Sequence, residues 1–238
     1  MSQIRDFPDH PYQVKDDECM NDLVSSIKER GLIQPIIVRP IEDNLYEMVS
    51  GHRRKRAFEL AGLKSIPAKV VELTRDEAIL VMVDSNLQRE VILPSEKAKA
   101  YKMRLDAMKR QGQRSDLTSD PKGPKLVASR SNKELAKQVN ESESQIKRYI
   151  RLTELIPEML DLVDEGKVAM RPAVEISYLP KESQEQLVKA MEFSDATPSH
   201  YQAIRMKNYY RDGKLTEEVI DTIMDEAKTK TETYLHIL

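Results

Sequence analysis

Residues 46–62 carry the pattern that most limits how this chain can fold. Tyr46-Glu47-Met48-Val49-Ser50 is followed by Gly51 and then by His52-Arg53-Arg54-Lys55-Arg56-Ala57-Phe58-Glu59-Leu60-Ala61-Gly62. A β-rich run meets a glycine, and a helix-forming run closed by a second glycine follows. Gly51 permits the sharp bend of a strand-to-helix turn, and a helix that starts there leaves its first amide N–H groups unpaired. Arg53, Arg54, Lys55 and Arg56 bring four positive side chains to a helix end whose macrodipole already disfavours cations. The turn therefore calls for a negative partner. A basic run of this kind also occurs as a plain solvated helix face, so its meaning depends on its surroundings.

The surroundings predict more helix than sheet. Aromatic residues make up 5% of the 238, Trp is absent, and 7 Gly stand against 12 Pro, which disfavours a sandwich or barrel. Met20, Leu23, Val24 and Ile27 recur at helical spacing before Gly31 and predict a first helix, with Cys19 read as buried on its apolar face. Ile36-Ile37-Val38-Arg39 and Leu45–Val49, joined across Glu42-Asp43-Asn44, predict a hairpin whose entry loop, Gln34-Pro35, faces the Gly51 turn. Ile66–Val71 predicts a further strand. Thr74-Arg75-Asp76-Glu77 is a capping box that opens a helix with Ala78, Ile79, Val81, Met82 and Val83 inward. Residues 1–17 lack periodicity and predict a flexible arm. Pro94-Ser95-Glu96 opens a connecting helix over 95–110, and Gly112, Pro121, Gly123 and Pro124 mark 111–130 as a linker.

Beyond the linker, Ser131-Asn132-Lys133-Glu134 and Ser142-Glu143-Ser144-Gln145 cap two short helices, with Asn140 at the turn between them. Asn is the best substitute for glycine where φ is positive, so the pair reads as a helix-turn-helix. Ile146, Tyr149, Ile150 and Leu152 form the inner face of the second helix. Lys133 on the first helix and Ser144, Gln145, Lys147, Arg148 and Arg151 on the second are of the types that contact phosphates and base edges. Short amphipathic helices punctuated by Pro157, Pro172, Pro180 and Pro198 continue to about residue 230, with caps at Thr197-Pro198 and Thr216-Glu217-Glu218, and 231–238 read as a disordered tail.

The charge distribution fits either a nucleic-acid contact surface or a flexible basic linker. Net charge is only −2, but residues 95–150 hold 14 basic and 7 acidic side chains, whereas 1–94 hold 13 and 16 and 155–238 hold 10 and 16. The single cysteine, the absence of metal-ligand spacings such as C-x-x-C, and the lack of an apolar leader or a span of roughly 18 apolar residues predict a cytoplasmic, non-membrane protein.

Three segments resemble the ParB/RepB-type DNA partition family. Gly51-His52-Arg53-Arg54-Lys55-Arg56-Ala57 matches its G-E-R-R-x-R-A box, Gly31-Leu32-Ile33-Gln34-Pro35-Ile36-Ile37-Val38 its first box, and Ser85-Asn86-Leu87-Gln88-Arg89-Glu90 its E-N-x-Q-R-E box. The resemblance covers about residues 18–180. It implies a mainly α fold with a small ParB/sulfiredoxin-like α/β domain at 18–94, followed by an all-α helix-turn-helix domain at 131–230. It also implies CTP as ligand, held by Gln34, Gly51, His52, Arg53, Arg54, Arg56, Asn86 and Arg89, and magnesium held through Asn86. The implied partners are double-stranded DNA, a second copy of the chain and a ParA-type ATPase, in a nucleoid- or plasmid-associated setting. Two positions depart from the pattern. His52 replaces the glutamate associated with hydrolysis and is the one candidate catalytic base, and Ser85 replaces a metal carboxylate, so at most slow CTP hydrolysis is expected. After the second helix, Gly166–Ala173 stands where the family has a Gly-His segment, leaving Arg171 as a phosphate candidate. Two other functions fit the same residues: a nucleotide-independent DNA-binding regulator, and a phosphotransferase or nuclease of the same fold. The sulfiredoxin reaction needs a cysteine at the turn, where this chain has His52.

Overall fold

The computed structural model describes residues 1–32, 34–42, 44–87, 89, 91–115 and 133–235, apart from the side chains of 112–115 and 227–235. The chain forms two units, Met1–Ile92 with Ala100–Glu141 and Leu93–Lys99 with Ser142–Leu238.

In the first unit, β1 (Ile4–Arg5), β2 (Ile36–Pro40), β3 (Tyr46–Ser50) and β4 (Ala68–Val70) form a sheet ordered β1-β3-β2-β4. β2 and β3 are the expected antiparallel hairpin, with Val38 opposite Met48 and a register shift at Ile37/Val38. β1 and β4 add to its two edges in parallel. Asn44 takes the left-handed conformation in the hairpin turn, at φ 57°. Ile36, Val38 and Met48 are fully buried on one face. α1 (Glu18–Arg30) and α2 (His52–Leu60) pack together through Met20, Ile27, Ala57 and Phe58. α3 (Arg75–Asn86) starts at the Thr74/Glu77 capping box, and Ala78, Ile79, Met82 and Val83 pack around Val49.

Several sequence expectations change here. The first 17 residues are not a loose arm, because Ile4–Arg5 pair with β3 and both Phe7 and Tyr12 are buried in the α3 core. Cys19 is exposed, because Met20 and Ile27 define the inward stripe of α1 and Cys19 points away from it. Val81 is half-buried rather than fully inward. α4 (Pro94–Ser115) runs past the expected end at Arg110, and its first turn belongs to the second unit while the remainder belongs to the first. The linker at 111–130 is thus helical over its first five residues, and from 116 onward it lies outside the described residues, as do the capping residues Ser131 and Asn132. α5, residues 133–139, groups with the first unit rather than opening the second. The reason is a buried arginine, Arg104 of α4, which donates to Asp84 of α3 and to Gln138 of α5.

The second unit contains α6 (Glu143–Arg151), a 3-10 turn (Leu152–Glu154), α7 (Pro157–Asp164), α8 (Met170–Ile176), α9 (Lys181–Ser194), α10 (His200–Arg211) and α11 (Glu217–Leu235). Its core gathers Leu152, Met159, Ile176, Leu187, Met206 and Ile220. Ser95 of the first α4 turn is held by the Asp164 carboxylate, which accepts from its amide at 2.9 Å. α10 is capped by Ser199 with Gln202, not by Thr197, because only Ser199 places a hydroxyl at the Gln202 amide. The backbone of α11 is helical through Leu235, so residues 231–235 of the expected tail are helix, and 236–238 lie outside the described residues. No described helix is long and apolar enough to cross a membrane.

Candidate functional site

The Gly51 turn is built for close approach. Gly51 has φ 108°, and a Cβ there would lie 2.7 Å from Cγ2 of Ile36. Only glycine fits both the conformation and the space. α2 begins immediately after it with no side-chain cap and no acidic residue in its first turn.

Negative partners for three of the four cations come from the chain itself. Arg53 reaches Asp17 at 3.3 Å, Lys55 reaches Asp6 at 2.7 Å, and Arg56 reaches Asp16 at 2.6 Å. The bond to Arg56 holds the Asp16 carboxyl below its ordinary value. Arg54 differs from its neighbours: it donates to the carbonyl oxygens of Gln34 and Pro35, both at 2.7 Å. The expected meeting of the Gln34-Pro35 loop with the Gly51 turn therefore occurs, but through the Gln34 backbone. The Gln34 side chain is exposed.

His52 packs against His10. Its ring stacks on His10 with centroids 3.6 Å apart and planes tilted by 35°. Its Nε2 is buried without a hydrogen-bond partner among the described residues. Burial, and after it the nearby His10, pushes its pKa down to about 3, so it is neutral at pH 7. His10 Nδ1 lies 2.8 Å from the carbonyl oxygen of Tyr12, which can only accept, so the proton of a neutral His10 sits on Nδ1. The Arg89 guanidinium lies 5.8 Å from the Tyr12 ring centroid. His10, Tyr12 and the three aspartates were missed in the sequence; the buried pair Phe7 and Tyr12 in an otherwise polar segment was the available signal.

The metal expectation finds a poor donor set. Ser85 Oγ and Asn86 Nδ2 both donate to the carbonyl oxygen of Met82, at 2.9 and 2.8 Å. Neither is a carboxylate, and among the described residues no group of three or more His, Cys, Asp or Glu could hold a metal. A magnesium ion favours charged oxygens. These residues do not fit a resident ion.

At the second candidate site, Asn140 has φ 53° between α5 and α6, as its place in the turn requires. Ser142 caps α6 by accepting from the Gln145 amide at 3.1 Å. Ile146 is fully buried, Ser144, Lys147 and Arg148 are exposed, and Gln145 is half-buried. Lys133 and Arg171 are exposed. Arg151 departs from the outer face: its Nε donates to Ser177 Oγ at 3.0 Å and its NH2 to the Ser177 carbonyl at 2.6 Å.

A basic-turn α/β unit followed by a helix-turn-helix segment defines a class of mainly helical proteins with a small N-terminal sheet. The model of the ParB N-terminal domain matches residues 1–87 and that of the ParB HTH domain matches residues 127–197. The chain belongs to the ParB family. The chromosome-partitioning protein Spo0J of Thermus thermophilus is 34% identical over 168 residues, covering 71% of this chain and 54% of that protein. Stage 0 sporulation protein J of Bacillus subtilis is 29% identical over 239 residues, covering 98% of this chain and 77% of that protein. The chain spans about half the length of the first curated relatives it matches. Among solved structures, the pNOB8-like ParB N-domain has a TM-score of 0.50 at 18% identity, covering 94% of this chain and 93% of that one, a likeness of fold.

Proposed function

We propose that this chain is a sequence-specific DNA-binding partition protein, acting in the segregation of a chromosome, plasmid or mobile element, whose basic turn takes a CTP-type nucleotide that controls closure of a dimer on DNA. The observation that carries the DNA half is the exposure of Ser144, Lys147 and Arg148 on one face of α6, opposite the buried Ile146 and directly after the Asn140 turn. Side chains of this kind on a short helix are suited to base edges and phosphates. Lys133 and Arg171 add phosphate contacts. Curated relatives named for chromosome partitioning support the biological setting.

The nucleotide half rests on the Gly51 turn, where unpaired α2 amides and Arg53 and Arg56 offer charge-assisted donors to phosphate oxygens. Arg54 holds the Gln34-Pro35 loop against that turn. A nucleotide brings its own charge to the site, and any divalent ion arrives with its phosphates, because Ser85 and Asn86 supply no carboxylate. With a neutral His52 in place of the family glutamate, bound nucleotide acts as a lasting clamp and not as a fast timer. A homodimer and a ParA-type ATPase complete the proposed partners.

Selection from a random duplex pool with the full chain, followed by calorimetry with CTP and with ATP, tests the proposal. Enrichment of one sequence, together with binding of CTP in preference to ATP, is expected. A pool that stays random refutes the DNA reading, and absence of nucleotide binding leaves the chain a DNA-binding regulator without a switch.

A further inference from the structure

We infer that Arg151, although it sits on the DNA-reading helix and has the chemistry of a DNA contact, is a positioning residue that locks the end of α6 to the end of α8. This rests on the DNA-binding reading of α6.

Three observations converge on it. The first is hydrogen bonding. Arg151 ends α6, and its guanidinium uses two donors on one residue, Nε to Ser177 Oγ at 3.0 Å and NH2 to the Ser177 carbonyl at 2.6 Å. Ser177 is the C-cap of α8 and is buried, so its carbonyl is one of the helix-end acceptors that need a partner. The Ser177 hydroxyl passes its own proton on to the Val174 carbonyl at 2.7 Å. The fork thus joins a three-membered chain, Arg151 to Ser177 to Val174, that ends inside α8.

The second observation is stacking. The Arg151 guanidinium carbon lies 4.1 Å from the centroid of the Tyr178 ring, and Lys207 Nζ of α10 lies 5.0 Å from the same centroid. Two cations share one aromatic ring, and Lys207 is itself paired with Glu175 of α8. The half-exposed Tyr178 is thereby held where it covers the Arg151 plane.

The third observation is contrast. Lys147 and Arg148, on the same helix, are exposed, and no ion pair involving them is described within this unit. An arginine whose Nε–Nη2 edge is bound to Ser177 and whose plane is stacked on Tyr178 has its side-on bidentate edge occupied and its orientation fixed by the protein. Arg151 sets the angle at which Ser144, Lys147 and Arg148 are presented, and these three carry the contact.

Two readouts on the full chain test this. In amide hydrogen exchange, Arg151→Ala and Arg151→Lys are both expected to speed exchange at Tyr149–Leu152, because lysine keeps the charge but loses the fork, while Arg148→Ala leaves those amides unchanged. Tyr178→Leu, which keeps packing volume and removes the ring, is expected to speed them to a smaller degree and guards against an Arg151 variant that does not fold. Unchanged exchange in both Arg151 variants overturns the inference. In DNA binding, measured on the duplex that the wild-type protein selects from a random pool, Arg151→Ala is expected to weaken binding about tenfold at fixed salt with the slope of log K against log salt unchanged. Arg148→Ala is expected to reduce that slope by about 1. A slope reduced by about 1 in Arg151→Ala makes it a phosphate contact and overturns the inference. Faster exchange with no duplex selected by the wild type refutes the DNA reading and leaves the lock in place.

Discussion

The rings of His10 and His52 stack at the start of α2, with centroids 3.6 Å apart and planes tilted by 35°. Burial of the His52 ring beside His10 disfavours a charge on His52. His52 is faced by His10 and Lys55, which oppose its protonation, and by Asp6, which favours it, with burial the largest influence of all. The unfolded chain takes up this proton near the ordinary value of 6.5, but the folded chain does so only near about 3. Between those limits the unfolded state binds more protons, so stability falls as pH falls, by up to about 1.4 kcal/mol per pH unit. Chemical unfolding of the first unit from pH 7 to pH 4.5 is expected to show this slope in the wild type and to lose it in His52→Gln. An identical slope in both would assign the effect to other groups.

The carboxylates on the basic turn compete with any incoming phosphate. Asp17 also caps α1 by accepting from the Met20 amide at 2.9 Å, a task asparagine performs equally well. The double change Asp16→Asn with Asp17→Asn therefore removes charge while keeping the cap. Its affinity for CTP and for inorganic tripolyphosphate, read by calorimetry, is expected to rise several-fold at low salt, and the gain should shrink as salt is added. Weaker binding in the variant would mean that the aspartates organise the arginines instead of occupying them.

Gly51→Ala sets a Cβ against Ile36 in a backbone region that alanine resists. A stability loss of ~1–3 kcal/mol in the first unit is expected, together with loss of nucleotide binding. The second unit should melt as before, because it has its own core. Wild-type stability in this variant would show that the turn is looser than its geometry implies.

Turnover should be slow even with nucleotide bound. His52 is held neutral under His10, and Ser85 and Asn86 donate back to their own helix at Met82. Restoring carboxylates with His52→Glu and Ser85→Glu is expected to raise steady-state phosphate release from CTP in the presence of magnesium. Brisk release by the wild type that falls in this double variant would make His52 a working base.

Local rules carried much of the fold in the sequence. The Gly51 turn, the β2–β3 hairpin, the Thr74 capping box and the Asn140 turn each depend on residues within a few positions of one another, and their chemistry was visible as spacing. The family boxes were legible for the same reason. Residues distant in the chain were not. Nothing in Asp6, Asp16 or Asp17 announces that they neutralise Lys55, Arg56 and Arg53, which lie 36 or more positions away. The edge strand β1, two residues long, has no period to detect.

Arg151 draws the line most clearly. Its place on α6 and its charge follow from sequence, and they marked it for DNA. Whether its guanidinium turns outward or inward depends on an unpaired carbonyl at the end of another helix, Ser177, 26 residues on, and on the Tyr178 ring beside it. Sequence determines which groups need partners, because that is a property of each residue and its immediate neighbours. Only the tertiary structure decides which partner each receives, because that depends on which helix ends the packed core brings together.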